Sequence, residues 1–245
     1  MSDFPPVVFV TGTDTDVGKT VTSAALAVAL GQLGSVAVYK PVQSGVASPA
    51  HTGDGSDVDE VRRLVGSEQP AGWAPPTLVE GIRLTDALAP VTAAARQGVR
   101  LPSVADHAAR VAELAARHGH VLVEGSGGLL VGLDADGAGL ADIARRVGRP
   151  VGFVVVVRAA LGTLNHSALT VEALRSRGCA VLGLVVGAWP ETPDLAQRCN
   201  LVDLPAVIGI ELLGKVPDGA GGLSAAEFRA QVPAWLAPPL GEWRP

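Results

Sequence analysis

Short runs of apolar, β-branched residues alternate along the chain with longer alanine-rich stretches whose apolar residues recur at helical spacing. The short runs predict strands at residues 7–11, 36–40, 120–124, 151–157, 181–187 and 207–216. The longer stretches predict helices at residues 18–33, 57–66, 103–118, 138–147, 163–178 and 223–236. This alternation is typical of βα units, and it predicts an α/β fold built on a parallel sheet.

The composition of the chain suits a buried parallel sheet. Hydrophobic residues make up 48% of the 245 residues but aromatic residues only 4%, so the core must consist mainly of Val, Leu, Ile and Ala. Residues 44–57 and 69–76 are rich in Gly, Ser and Pro, and we interpret them as long loops, which are often functional, and not as linkers. We therefore expect a single domain over residues 1–245.

Charge and cysteine content argue against several classes of function. The formal net charge is −5 and no basic run occurs, so neither nucleic acid nor an anionic membrane is an expected partner. We expect small soluble molecules as partners instead. Cys179 and Cys199 lack the spacing of a zinc site or a disulfide framework, which fits a cytoplasmic protein. The first apolar run is interrupted at Thr11 and is not a signal peptide, and residues 153–157 are too few to cross a bilayer.

The strongest chemical signal follows the first predicted strand. Residues 12–20, GTDTDVGKT, lead from that strand into an apolar helix. A bound triphosphate needs converging backbone N–H groups, a helix N-terminus, a cation and a metal-ligating hydroxyl, and this order provides all four. We predict that Lys19 reaches the β and γ phosphates and that Thr20 binds Mg²⁺. The nucleotide-binding residues predicted in this segment are Asp16, Val17, Gly18, Lys19, Thr20 and Val21.

This loop departs from the strict pattern GxxxxGK(S/T). The pattern places its first glycine at position 13, where the chain has Thr13, and Gly12 lies one position earlier. The alternative interpretation is a glycine-containing turn capped by threonine, with an incidental lysine. The order of strand, loop and helix favours a variant phosphate loop.

Two further predicted strands end in charged residues. Lys40 ends one strand before Pro41, which is expected to stop it, and Glu124 ends another before a glycine-rich turn. The carboxyl ends of parallel strands meet at one edge of a sheet, so both side chains should face the phosphate loop. There Lys40 would neutralise charge on a moving phosphoryl group, and Glu124 would hold Mg²⁺ directly or through water. The alternatives are a surface lysine at a strand edge and a solvated acid at a strand end.

Asp57 begins a predicted helix directly after the loop 44–57. Acids in the first turn of a helix are explained by capping and by the helix dipole, and on spacing alone that explanation is favoured. Only the family resemblance described next assigns Asp57 as a second metal ligand.

Segments of the chain resemble, in order, the dethiobiotin synthetase family: GTDTDVGKT, YKPVQSG, the pair Ser56 and Asp57, VEGSGGLL and LGTLNH. The order and spacing match from Val8 to about Pro217. The resemblance implies a P-loop NTPase-like three-layer sandwich, with a mainly parallel sheet of about seven strands and helices on both faces. It also implies a homodimeric, ATP-dependent cyclo-ligase of biotin biosynthesis, which closes the ureido ring of dethiobiotin from 7,8-diaminononanoate, CO₂ and ATP with Mg²⁺.

The resemblance further implies a mechanism and a set of site residues. One amine of the substrate takes up CO₂, the resulting carbamate attacks the γ-phosphorus to give a carbamic phosphoric anhydride, and the second amine displaces phosphate. Thr15, Lys40 and Ser44 are expected to contact the diamine or its carbamate. The expected catalytic residues are Lys19, Lys40, Thr15 and Ser44; the metal ligands are Thr20, Asp57 and Glu124; and further nucleotide contacts come from Gly125, Ser126 and Gly127.

Residues 161–166, LGTLNH, follow a buried strand and open a helix, whose free N–H groups suit an anion. In the family this segment meets the substrate carboxylate from the neighbouring subunit. Thr163, Leu164 and Asn165 are therefore the substrate-binding candidates across a dimer interface. On sequence alone, Thr163 and Asn165 form a helix cap, and His166 is a packing residue.

The chain departs from the family after the strand near residues 181–186. Members commonly have an Asn there that reads the adenine edge, whereas this chain has Gly187 and Ala188. We therefore predict a relaxed choice of nucleotide, with CTP or GTP accepted beside ATP. Backbone contacts near the base are expected from Gly187, Ala188, Val216, Pro217 and Asp218.

Rival functions share the same loop. Switch and partitioning ATPases usually carry a lysine early in the loop, where this chain has Asp14, and the guanine motif NKxD is absent. A cobyrinate amidation enzyme needs an extra glutaminase domain with a nucleophilic Cys. A pure binding module does not require two lysines and three oxygen ligands at one phosphate site.

Overall fold

The computed structural model describes residues 4–46, 55–67 and 74–236. The strands are β1 (Val7–Gly12), β2 (Val36–Ser44), β3 (Thr77–Leu84), β4 (His120–Gly128), β5 (Val151–Val157), β6 (Val181–Trp189) and β7 (Leu212–Pro217). The helices are α1 (Lys19–Gly31), α2 (Asp57–Val65), α3 (Pro90–Gln97), α4 (Val104–Ala115), α5 (Leu140–Arg146), α6 (Thr163–Ser176), α7 (Leu195–Ile208) and α8 (Ala225–Trp235). Parts of the two long predicted loops, at 47–54 and 68–73, lie outside the described residues.

The strands form one 7-stranded parallel sheet in the order β3-β2-β4-β1-β5-β6-β7. β1 lies between β4 and β5. The strands β2 to β4 lie on one side of β1 and β5 to β7 on the other, so the strand order reverses beside β1. Ligands of open α/β sheets gather at such a switch point, outside the carboxyl ends of the strands. The α/β sandwich predicted from the sequence is confirmed.

Alternate residues of each central strand enter two separate cores. In β1, Val7 and Phe9 pack beneath α3 to α7, whereas Val8 and Val10 pack beneath α1, α2 and α8. Both faces of the strand are therefore apolar, as expected for a parallel sheet that is covered on both sides. α1 contributes mostly alanines to its core, and small side chains let a helix lie close to a sheet.

Several elements differ from the prediction. β3, α3 and α7 were not predicted, and the strand predicted over 207–216 is wrong at its start, because α7 continues to Ile208 and turns at Gly209 before β7 begins. β2 also continues through Pro41 to Ser44. Pairing with β4 ends at Tyr39, so beyond that point β2 pairs only with β3 and one side of the strand needs no N–H donor. None of the helices in the described residues is long and apolar enough to cross a membrane.

A buried histidine makes the stability of the fold dependent on pH. The Tyr39 hydroxyl lies 2.6 Å from Nδ1 of His107 in α4, inside the core. Burial raises the pKa of Tyr39 to about 12, so the phenol stays protonated and donates to the imidazole. Burial lowers the pKa of His107, and the nearby charges of Asp106 and Asp134 only partly oppose that effect.

We expect the free energy of unfolding to fall as the pH is lowered from about 7 to about 5. The unfolded chain takes up a proton on His107 near the ordinary histidine pKa, whereas the folded chain takes it up only at lower pH. The unfolded state therefore binds more protons in this window, and stability decreases as the pH falls. In urea unfolding, the free energy of unfolding of His107→Gln should depend less steeply on pH than that of the unsubstituted protein. His166→Gln, at an exposed position, should keep the steeper dependence. Equal slopes in the unsubstituted protein and in His107→Gln would contradict this prediction.

Candidate active site

The phosphate loop joins β1 to α1 and is held at both of its ends. Near its start, the amide of Thr13 donates to the carbonyl of Val156 in β5 at 3.0 Å. Near its end, Gly18 has a left-handed φ of 92° and lies so close to Gly187 that an added Cβ would be 2.4 Å from the Gly187 carbonyl oxygen. Only glycine fits there. Gly18 offers α1 no side-chain cap, so the first-turn N–H groups remain available to an anion.

Lys19 folds back over this loop. Its Nζ donates to the carbonyl of Asp14 at 2.9 Å, and the residue is only 8% exposed. Burial lowers the pKa of Lys19, the charge of Lys40 lowers it further, and the carboxylates of Glu124 and Asp57 partly oppose both effects. An anion in the loop would stabilise the charged form of Lys19.

Lys40 connects β2 and β4 to the start of α2, and it lies directly after the last residue of β2 that pairs with β4. Its Nζ lies 2.5 Å from Asp57 Oδ2, 3.1 Å from Glu124 Oε1 and 2.8 Å from the carbonyl of Gly125. The Thr20 hydroxyl donates to the same Glu124 oxygen at 2.9 Å. The lysine and the acid therefore face the phosphate loop, but the prediction that they end their strands is wrong, because both strands continue past them in pairing with β3 and β1. The interpretations as a surface lysine and a solvated acid do not apply, since Lys40 is 3% and Glu124 1% exposed.

The three charged groups of this cluster, Lys40, Asp57 and Glu124, differ in the direction in which their pKa is shifted. Burial alone would lower the pKa of Lys40, but the charges of Glu124 and Asp57 outweigh it and hold the pKa above its usual value. Although burial opposes it, the charge of Lys40 keeps the pKa of the Asp57 carboxyl low. Burial raises the pKa of Glu124 despite the same lysine. Lys40 is therefore a firmly protonated cation between the two carboxyl groups. Asp57 is ionised, whereas the charge of Lys40 does not fully offset the effect of burial on Glu124.

A pocket of about 420 Å³ lies over this cluster. Glu124 and Gly125 lie beneath its floor, and Val17 is buried in the loop. Predicted residues that line the pocket are Thr15, Asp16, Gly18, Lys19, Thr20, Val21, Lys40, Ser44, Asp57, Ser126 and Gly127.

Gln43 also lines the pocket and was not predicted. Its Oε1 accepts from the amide of Asp57 at 3.0 Å, so it fixes the first residue of α2 against β2. The signal was present in the segment YKPVQSG, which places a polar residue at a strand end. Ser56, whose hydroxyl accepts from the Asp59 amide at 3.2 Å, is the N-cap of α2. Asp57 is therefore not needed as the cap.

A second cleft of about 620 Å³ adjoins the first and shares five residues with it, among them Thr15, Asp16 and Ser44. Its far wall is largely apolar and belongs to the connection between β3 and α3, which sequence reasoning did not identify. The cleft is completed by Ala87, Leu88, Ala89, Pro90, Ser126, Gly127 and Val131.

The residues predicted near the base lie at the ends of β6 and β7, outside the lining of the phosphate pocket. The amide of Asp218 donates to the carbonyl of Trp189 at 2.7 Å, which joins the two strand ends. Gly187 packs on the phosphate loop, where an added Cβ would be 2.0 Å from the Val17 carbonyl oxygen, whereas Ala188 is exposed. No Asn side chain fits at 187 without moving the loop.

Thr163, Leu164 and Asn165 begin α6, outside the lining of both pockets. The N-cap is Gly162 and has no side-chain cap, so the interpretation of Thr163 and Asn165 as the helix cap is wrong. Thr163 is buried, whereas Asn165 and His166 are exposed, and the packing role suggested for His166 is not observed.

The oxygen atoms near Lys40 fit a magnesium ion that is shared with a phosphate chain. In the described part of the chain, no group of three His, Cys, Asp or Glu side chains could hold a metal ion by itself. Mg²⁺ commonly takes one or two carboxylates and completes its shell with water and substrate phosphates. Thr20, Asp57 and Glu124, which lie in mutual contact, supply such a partial set.

Comparison with known structures identifies the fold. The chain is similar to the septum site-determining protein MinD of Pyrococcus horikoshii, with a TM-score of 0.56, 14% identity and coverage of 92% and 89% of the two chains. It is also similar to a ParA family ATPase of Chlorobium tepidum, with a TM-score of 0.57, 12% identity and coverage of 99% and 98%. At this identity the likeness concerns the fold alone.

Comparison of sequences identifies the family. A family model described as an AAA domain matches residues 7–221. The chain is 52% identical to the ATP-dependent dethiobiotin synthetase BioD of Streptomyces coelicolor, over 97% of this chain and 95% of that protein. It is 49% identical to the protein of the same name from Rhodococcus jostii, over 94% of each. The chain therefore belongs to the dethiobiotin synthetase family.

Proposed function

We propose that the protein is a dethiobiotin synthetase of biotin biosynthesis, which closes the ureido ring from 7,8-diaminononanoate, CO₂ and a nucleoside triphosphate. One arrangement carries the proposal: Lys19, Thr20 and Lys40 meet at a single pocket over a buried carboxylate. The 52% identity to a relative of that name supports the choice of substrates.

The proposed reaction brings two anions together. One amine takes up CO₂, the carbamate oxygen attacks the γ-phosphorus, and the second amine displaces phosphate from the anhydride to close the ring. The protein must orient the carbamate against the triphosphate and absorb the developing charge. We assign Lys19 to the phosphates, Lys40 to the charge that develops at the γ-phosphoryl group, and Thr15 and Ser44 to the carbamate.

Thr20, Asp57 and Glu124 would hold Mg²⁺, which supplies Lewis-acid stabilisation of the phosphates when bound. The protein's own part is to keep these oxygens together without the ion. Lys40 does so by pairing with both carboxylates at once, which offsets the repulsion between Asp57 and Glu124.

The apolar cleft beside the pocket supports a substrate with a hydrocarbon chain. The chain of the diamine would extend from Thr15 and Ser44 along Leu88 and Pro90. We further propose a homodimer, in which Thr163, Leu164 and Asn165 of a second copy meet the substrate carboxylate. The exposed apolar side chains of Leu130, Leu161 and Leu169 support an interface there. We also propose that residues 1–245 form one domain, because α8 packs on α1 and α2.

Relaxed nucleotide choice belongs to the same proposal. The phosphate loop occupies the space that a side chain at position 187 would need, and Ala188 has only a methyl group. Neither residue therefore offers a side-chain amide to a base. We expect isothermal titration with Mg²⁺ to give dissociation constants for ATP, CTP and GTP within about tenfold of one another. A preference for ATP above about a hundredfold would contradict it.

The direct test is product formation. The protein is mixed with diaminononanoate, bicarbonate, Mg²⁺ and ATP, and dethiobiotin is sought by mass spectrometry. We expect ureido product in amounts equal to the phosphate released. Slow hydrolysis of ATP at the same rate with and without the diamine, and no product, would instead favour a switch or partitioning ATPase.

A further inference from the structure

The outer half of the phosphate loop, residues 14–16, has an arrangement of its own. Thr15 lines both the phosphate pocket and the apolar cleft. The next residue, Asp16, has a φ of 54°, a left-handed conformation that is uncommon outside glycine. Such a conformation persists only where surrounding contacts hold it.

Arg158, the first residue after β5, holds the two residues that precede Asp16. Its Nη2 donates to Asp14 Oδ2 at 3.0 Å and to the carbonyl of Thr15 at 3.2 Å. The other oxygen of Asp14 accepts from the amide of Thr15 at 2.8 Å. Within residues 4–46, 55–67 and 74–236, Arg158 is the one side chain outside the loop and α1 that hydrogen bonds to residues 14–16.

The inner half of the loop is held without Arg158. Gly18 is wedged against Gly187, and Lys19 and Thr20 belong to the first turn of α1. One contact joins the two halves, because Lys19 Nζ donates to the carbonyl of Asp14 at 2.9 Å. Their other supports differ: β6 and α1 hold the nucleotide side, and Arg158 holds the side that faces the cleft.

An effect of Arg158 on overall stability is not the reason for these contacts. The side chains of Arg158 and Asp14 are 49% and 54% exposed, and exposed ion pairs contribute little to the stability of a fold. Their effect is local, because one of the two acceptors is the backbone of Thr15 itself.

We propose that Arg158 is a positioning residue for the diamine substrate, acting by fixing Thr15 and Asp16 where the phosphate pocket meets the cleft. The proposal rests on the proposed function, in which Thr15 contacts the carbamate. Asp16 also lines the phosphate pocket, but the nucleotide is held mainly by the first turn of α1 and by Lys19. We therefore expect loss of Arg158 to weaken productive binding of the diamine far more than binding of the nucleotide.

The test compares Arg158→Ala with Arg110→Ala, which removes a similarly exposed arginine paired with Glu113 on α4 at 2.9 Å. We expect Arg158→Ala to raise the KM for diaminononanoate roughly tenfold or more, since small misplacements of orienting groups cost one to two orders of magnitude. The nucleotide dissociation constant should change less than about twofold, and Arg158→Lys, which keeps one donor, should fall between the protein and Arg158→Ala. Arg110→Ala should leave both the KM and the nucleotide dissociation constant unchanged.

A second measurement needs no turnover. Hydrogen–deuterium exchange of the ligand-free protein should show faster exchange at the amides of Thr15 and Asp16 in Arg158→Ala, and not in Arg110→Ala. Unchanged exchange there, an unchanged KM for the diamine, or an equal loss of nucleotide affinity would each overturn the proposal. If the unsubstituted protein forms no dethiobiotin, the proposed function fails, and the exchange result still decides whether Arg158 holds the loop.

Discussion

Replacing Lys40 by alanine is expected to lower kcat about a thousandfold while the nucleotide dissociation constant changes less than about threefold. Lys40 is the buried cation between Asp57 and Glu124, and the proposed reaction places the developing negative charge beside it. Nucleotide binding relies on the backbone of the loop and on Lys19, which the substitution leaves intact. Single-turnover formation of dethiobiotin, together with titration of a non-hydrolysable nucleotide, measures the two effects separately.

Loss of this cation also leaves Glu124 buried without its main partner, so folding must be checked. Lys40→Met keeps most of the side-chain volume and should show the same loss of turnover with a similar thermal midpoint. Lys215→Ala, which removes an exposed lysine near Trp189, is the matched control and should retain turnover. Turnover of Lys40→Ala close to that of this control would remove Lys40 from the mechanism.

Introducing asparagine at position 187 is expected to weaken nucleotide binding by at least about tenfold instead of creating a preference for adenine. The Cβ alone would lie 2.0 Å from the Val17 carbonyl oxygen and 2.6 Å from Val156 Cγ1, so β6 and the phosphate loop would have to separate. Overpacking a filled site commonly costs about 1–3 kcal/mol, and here the strain falls on the loop that binds phosphate. Titration of Gly187→Asn with MgATP should show affinity reduced by at least about tenfold.

The neighbouring position provides the control for that experiment. Ala188 is exposed, so Ala188→Asn adds the same amide without displacing the loop. Its affinity for ATP should equal or exceed that of the unsubstituted protein. Tight binding of ATP by Gly187→Asn would show that the loop tolerates displacement, and the close packing between Gly18 and Gly187 would then have no functional role.

The central part of the fold was predictable because its signals are local. The strands β1, β2, β4, β5 and β6 each contain a short apolar run, as expected for strands buried on both faces. The elements that escaped prediction lie at the margins. β3 is an edge strand that contains Gly81 and two charged residues, and α7 contains Pro205 and exposes Leu195 and Val202, so neither shows the apolar period of its type.

The candidate site divides in the same way. Lys19 and Thr20 open a helix, whereas Lys40 and Glu124 follow the apolar segments of β2 and β4. Parallel topology brings such positions together whatever the details of packing. The apolar wall at residues 87–90 and the contacts of Arg158 depend on how distant segments meet in three dimensions. No spacing along the chain reports that β5 passes beside Asp14, so the sequence offered no signal for Arg158.

The small side chains of α1 connect the packing of this helix to the positions of groups in the candidate site. Ala24, Ala25 and Ala27 are fully buried in the core that α1 forms with the sheet, α2 and α8, and the first turn of α1 carries Lys19 and Thr20. A bulkier residue at any of the three would tilt the helix axis and so shift the ammonium and hydroxyl groups relative to the strand ends. Larger side chains introduced beneath α1 to raise the thermal stability are thus expected to lower turnover. Substitutions in the core beneath α4 and α5, on the other side of the sheet, should leave the position of α1 unchanged.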